Sequence, residues 1–154
     1  MRIRWRGLEL PPQVVLDKSV STPTYGKFTI EPFERGFGTT VGNSLRRILL
    51  SSLEGAAVSA IKIAGAEHEF TSLDGVLEDV TDIVLNTKSL IVQYEGEQAT
   101  TMKVTRSTKG EVKAGDIETG PAVKILNPEL VLATLTDDVQ FEMEFEVQSG
   151  RGYV

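Results

Sequence analysis

Between Val139 and Gln148 the chain alternates without a break. Val139, Phe141, Met143, Phe145 and Val147 take turns with Gln140, Glu142, Glu144, Glu146 and Gln148. Period two is the spacing of a strand with one dry face and one wet face. Sliding it by one residue would bury the three glutamates, so its facing is strongly fixed. Such a segment demands a sheet with a buried side.

Shorter strands are expected at 27–31, which Pro32 ends, and at 58–63, with residues 67–71 returning beside the latter after a turn at Gly65. Residues 90–94 and 100–104 flank Gly96 and suggest a hairpin, and 106–121 reads as a charged, glycine-bearing loop with weak strands. Residues 1–24, with Pro11, Pro12 and Pro23, read as an irregular lead-in. Helical spacing occurs twice. Phe37, Val41, Leu45, Ile48, Leu49 and Leu53 form one apolar stripe on a helix over 39–53, capped by Thr39 or Thr40 and stopped by Gly55. A second helix is expected from about Leu73 to Lys88. It buries Val76, Val80, Ile83, Val84 and Thr87, turns Glu78, Asp79 and Asp82 outward, and has Asp74 and Lys88 placed to suit its dipole. The fold class is therefore α+β. A composition shift near Glu54–Gly55 divides the chain into 1–54, with the long helix, and a β-rich part at 55–154.

Charge and composition exclude several functions. The 154 residues carry a net charge of −6, which repels phosphate backbones, so strong binding to DNA or RNA by this chain alone is not expected. There is no cysteine, hence no disulfide and no thiolate metal site. The apolar runs, such as Ile48-Leu49-Leu50, are too short to span a membrane, and the basic start Met1–Arg6 does not read as a secretory signal. A cytoplasmic location fits. His68, the sole histidine, lacks the company a metal site requires and reads as a surface strand residue. It is also the only conventional base for a nucleophile, and no G-x-S-x-G elbow exists, so neither catalytic residues nor a cofactor are expected. The acids Asp74, Glu78, Asp79 and Asp82 read as a solvated helix face.

What remains is the run from Glu34 to Ser52, E-R-G-F-G-T-T-V-G-N-S-L-R-R-I-L-L-S-S. Gly36, Gly38 and Gly42 allow a tight entry into the helix. A phosphate-binding loop would require Gly-Lys-Ser/Thr where Gly42-Asn43-Ser44 stands, so nucleotide binding is the weaker alternative. Arg46 and Arg47 diverge by about 100° around the helix, with Leu50 one turn later beside both. The residues alone leave two readings open: solvated arginines, or a Leu–Arg anchor of the sort common at protein interfaces.

This run resembles the signature helix of the bacterial RNA polymerase alpha subunit family. Leu73-Asp74-Gly75-Val76-Leu77-Glu78-Asp79-Val80, Leu85-Asn86-Thr87-Lys88, Asn127-Pro128 and Gly150–Val154 resemble later landmarks of that family, in order, so the similarity spans about residues 14–154. The resemblance implies a non-catalytic scaffold. Its platform subdomain pairs with a second alpha subunit, and a β-rich insert lies within that platform. The alpha pair then recruits the beta and beta′ subunits of a DNA-directed RNA polymerase, a nucleotidyltransferase. By resemblance, Phe37, Leu45, Ile48 and Leu49 belong to the alpha–alpha contact or platform core. Arg46, Arg47 and Leu50 match the beta-facing positions, and Asp82 and Lys88 match insert positions that meet the large subunits. Thr87 departs from the leucine usual in the family. The resemblance also implies a partial platform and an incomplete insert, because the family's N-terminal domain continues with a second long helix. Without that helix the stripe is short of cover, and exposing three such side chains forfeits on the order of 5–9 kcal/mol. A stand-alone interaction module derived from the family is the other alternative.

Overall fold

The computed structural model describes residues 3–5 and 7–152. The chain is α+β and divides into two compact units, Met1–Ser52 and Leu53–Val154.

In the first unit, β1 (Ile3–Trp5) pairs antiparallel with β2 (Leu8–Leu10), and β3 (Val14–Leu16) with β4 (Phe28–Ile30). The lead-in is therefore more regular than its prolines suggest. Pro11 and Pro12 fall between β2 and β3, where no ladder needs their missing N–H, and Gly7 makes the first turn at φ +89°. The β3–β4 connection is drawn together by Asp17. Its N–H donates to the Lys27 carbonyl at 2.9 Å, and its carboxylate accepts from the Ser19 hydroxyl and N–H at 2.6 and 3.1 Å. Those two Ser19 bonds hold the Asp17 carboxyl below its ordinary pKa. Residues 34–36 then turn into helix α1 (Phe37–Ser52).

The second unit contains β5 (Glu54–Ile63), helix α2 (Val80–Lys88), β6 (Val92–Tyr94), β7 (Thr100–Arg106), β8 (Gly110–Lys113), β9 (Val123–Ile125), β10 (Val131–Leu135) and β11 (Phe141–Arg151). Strand β11 is the spine, with β5 on one side and β7 on the other, both antiparallel. Its register follows the alternation: Phe141, Met143, Phe145 and Val147 are buried, whereas Glu146 and Gln148 are exposed and Glu142 and Glu144 half-exposed. Phe145 stands between Ile61 and Met102, and Met143 between Ile63 and Val104. Two further pairs, β8–β10 and β6–β9, add Val112, Leu132, Leu135, Val92 and Val123 to this core, and α2 inserts Val80 and Ile83.

Several expectations need correction. Gly55 does not stop a helix; it lies in β5, opposite Gly150. Residues 67–71 form turns and bends rather than a strand, and β5 finds its partner in β11 instead. His68 is accordingly a loop residue, with Nδ1 3.0 Å from the Thr71 hydroxyl. The residues on either side of Gly96 make no hairpin together, because β6 pairs with β9 and β7 with β11. Within 106–121, where weak strands are expected, β8 pairs with β10. The second helix begins at Val80, not near Leu73. Gly75 takes φ +76°, Val76 bridges to Leu135, and Asp79 supplies the cap, its carboxylate accepting the Asp82 N–H at 2.8 Å.

A candidate assembly interface on helix α1

Helix α1 starts two residues earlier than the threonine-cap reading allows. Gly36 has φ +82°, a conformation that residues with a Cβ avoid, and the Phe37 N–H donates to the Glu34 carbonyl at 3.0 Å. Thr39 and Thr40 lie within the first turn, where Thr40 Oγ1 donates back to the Gly36 carbonyl at 3.4 Å. Gly38 and Gly42 are helical rather than turn residues. A Cβ on Gly38 would stand 3.4 Å from the Phe33 ring, whereas one on Gly42 would meet nothing within 4 Å.

At about 100° per residue, Phe37, Val41, Leu45, Ile48 and Leu49 occupy an arc of roughly 120°. An arc of that width on a helix of a closed domain is buried. Here no residue of α1 is buried: Leu45 is 46% exposed, Ile48 57% and Leu49 55%. Phe37 and Val41 are half-buried, and the Phe37 ring lies 6.0 Å from that of Phe33. Leu53 falls beyond the helix end. Around the other side, Leu50 is 67% exposed and lies one turn on from Arg46 and Arg47. Both arginines are exposed, and neither makes a hydrogen bond or ion pair with a described residue. The helix therefore presents an apolar arc beside a Leu–Arg patch. Removing the apolar side chains from water is favourable, whereas the arginines could leave water only if their forks met carbonyls or carboxylates.

Asp82 and Lys88 lie in the second unit, on α2. They bracket Leu85, which is 54% exposed, and the three residues step around the helix by about 60° each. Lys88 also lines an open groove of about 660 Å³, together with Ala56, Val58, Ser59 and Arg151 of β5 and β11. Glu78, expected to face outward, is half-buried, and its carboxylate accepts from the Thr134 N–H at 2.6 Å and the Thr134 hydroxyl at 2.9 Å. Periodicity gives no signal for that bond. The Asp79 cap was more visible, since Asp79-Val80-Thr81-Asp82 has the spacing of a capping pair. Asn127, noticed only as a landmark, holds the far end of α2: its Oδ1 accepts the Ile91 N–H at 2.8 Å and its Nδ2 donates to the Ser89 carbonyl at 2.9 Å.

Among the described residues no group of three or more His, Cys, Asp or Glu side chains is placed to hold a metal ion, and no helix is long and apolar enough to cross a membrane.

Comparison with known proteins gives the family. Residues 61–154 match the family described as the RNA polymerase Rpb3/RpoA insert domain. Over 154 residues the chain is 58% identical to a DNA-directed RNA polymerase subunit alpha of Rhodopirellula baltica, covering 100% of this chain and 46% of that protein. It is 51% identical over 150 residues to the corresponding subunit of Nitratidesulfovibrio vulgaris (strain Miyazaki F), covering 97% of this chain and 43% of that protein. With that of Geobacter metallireducens the identity is 53% over 150 residues, covering 97% and 44%. The chain thus spans less than half the length of these relatives. The chain belongs to the family of DNA-directed RNA polymerase alpha subunits.

Proposed function

We propose that this chain is a non-catalytic assembly subunit of DNA-directed RNA polymerase that pairs with a second alpha subunit and recruits the beta and beta′ subunits. One observation carries the reading: an apolar arc and a neighbouring Leu–Arg patch stand unburied on one helix of a chain from this family. Phe37, Leu45, Ile48 and Leu49 would supply the alpha–alpha contact or its platform. Arg46, Arg47 and Leu50 would face the beta subunit, and Asp82 and Lys88 of α2 would meet the large subunits. The alpha and large-subunit contacts can coexist, because the arc and the Leu–Arg patch point in different directions from the helix axis. The net charge of −6 works against strong binding to DNA by this chain alone, and the part in transcription we assign to it is assembly, in the cytoplasm.

The test is capture of the beta subunit by Arg47→Ala. A central interface arginine is worth about 2 kcal/mol or more, so capture should weaken by roughly 30-fold while alpha pairing stays largely intact. Undiminished beta capture would refute the role given to Arg47.

A further inference from the structure

We propose that His68 is a pH-sensitive latch: its unprotonated Nδ1 shapes the loop 67–71, that loop caps the first turn of α2, and protonation of the ring releases it. The inference goes beyond the assembly reading and does not rest on it.

The cap is built largely from the backbone of the loop. The first N–H groups of a helix have no partner within it. In α2 the Asp79 carboxylate accepts the Asp82 N–H, and the Thr71 carbonyl accepts the Val80 N–H at 3.1 Å. The Thr81 hydroxyl donates to the Glu69 carbonyl at 2.7 Å. Residues 69 and 71 therefore hold their carbonyls toward the start of the helix. No strand ladder keeps them there, since 67–71 form turns and bends. His68 does so instead. Its Nδ1 accepts the Phe70 N–H at 3.3 Å and lies 3.0 Å from the Thr71 hydroxyl, while its carbonyl accepts the Thr71 N–H at 3.2 Å. A side-chain acceptor for the N–H two residues on is the device by which asparagine and aspartate close a turn.

The chemistry of that acceptor makes it a switch. A backbone N–H only donates, so the ring nitrogen facing Phe70 is bare and the neutral ring carries its proton on Nε2. In the imidazolium both ring nitrogens carry hydrogen, and the bond from Phe70 is lost. Histidine is the side chain whose ordinary charge change falls between pH 5 and 8, and His68 is the only one in the chain. The latch is thus closed at the upper end of that range and opens as pH falls. Neighbouring charges do not reverse this sign. His68 lines an open hollow of about 300 Å³ with Lys62 of β5, Glu67 and Glu69 of the loop, and the uncharged Val80 and Val84 of α2. Glu67 and Glu69 are exposed and adjoin His68 in the chain, so they attract the imidazolium in the latched and the released loop alike. Lys62 carries the same sign as the imidazolium and opposes it in the latched loop.

The test is amide hydrogen exchange of the full chain at pH 8 and pH 5, with rates corrected for the intrinsic pH dependence of exchange. At pH 5 protection of the Phe70 amide should fall about fivefold, the effect of one ordinary hydrogen bond, with a smaller loss at Val80 and none in β11. His68→Asn keeps an acceptor within reach of the same N–H and has no proton to gain, so its protection should be equal at the two pH values. His68→Ala, without an acceptor, should show low protection at both. Nitrogen chemical shifts of the parent ring at pH 8 should place the proton on Nε2. Parent protection that survives at pH 5, a fall in His68→Asn equal to that of the parent, or a neutral ring protonated on Nδ1 overturns the latch.

Discussion

The two units of this chain use their apolar residues in opposite ways. In Leu53–Val154 the strands and α2 turn their apolar faces toward one another, and Ile83, Val104, Val112, Leu132, Met143, Phe145 and Val147 are inaccessible to solvent. In Met1–Ser52 no described side chain is fully buried, and Val14, Val15, Phe28, Ile48 and Leu50 stand largely open. Both contain aliphatic residues in number, so a lack of apolar side chains does not explain the difference. The difference is closure: one unit buries a core of its own, and the other leaves its described apolar side chains half-buried or exposed.

That contrast can be broken most forcefully in the core. Phe145→Ala should destabilise the second unit by about 3–5 kcal/mol, seen as a lower denaturant midpoint, whereas Ile48→Ala on α1 should change stability by no more than about 0.5 kcal/mol. Equal losses would erase the distinction between the units. A smaller but clear loss is expected from Gly75→Ala. At φ +76° an added Cβ would lie 2.6 Å from Val139 Cγ1, so the cost should be about 2–3 kcal/mol in the same measurement. The smallest effect is electrostatic. The hydrogen bond from Lys103 to Glu142 at 2.5 Å, helped by the charges of Glu142, Glu144 and Glu118, raises the Lys103 ammonium above its ordinary pKa of 10.5. Because the folded value exceeds the unfolded one, the stabilisation is complete below pH 10.5 and fades as pH rises through the raised value. Thermal melts across the alkaline range should therefore decline slightly less steeply for Lys103→Gln than for the parent.

How much of this was readable in advance depended on how local the cause was. Strand β11 was legible because its alternation states which face is dry whatever the partner. The body of α1 was legible from its stripe. Its start was not, because Gly36 rather than a threonine makes the entry. β6 and β7 do not pair with each other for a physical reason. Gly96 offers a local turn, but β11 presents seven paired positions to β7, and a ladder of that length prevails over a short hairpin. The length of α2 was overestimated because Val76, Val80 and Ile83 keep helical spacing even though Val76 reaches its burial through a bridge to Leu135. Glu78 was placed in water for the same reason: nothing near it in sequence announces Thr134, a residue 56 positions away. On α1, the residue types and their spacing are plain in the sequence. Their exposure followed only from the resemblance, which leaves the stripe short of cover, because an apolar stripe by itself is ordinarily a sign of burial.

The claim that α1 is a surface for sister polypeptides is tested most directly by amide hydrogen exchange in residues 45–52, measured on the chain alone and after addition of the beta and beta′ subunits. Slower exchange in those residues on assembly, with β11 unchanged, is the expected result. Exchange in α1 that is identical before and after addition, while the large subunits are demonstrably bound, would contradict it.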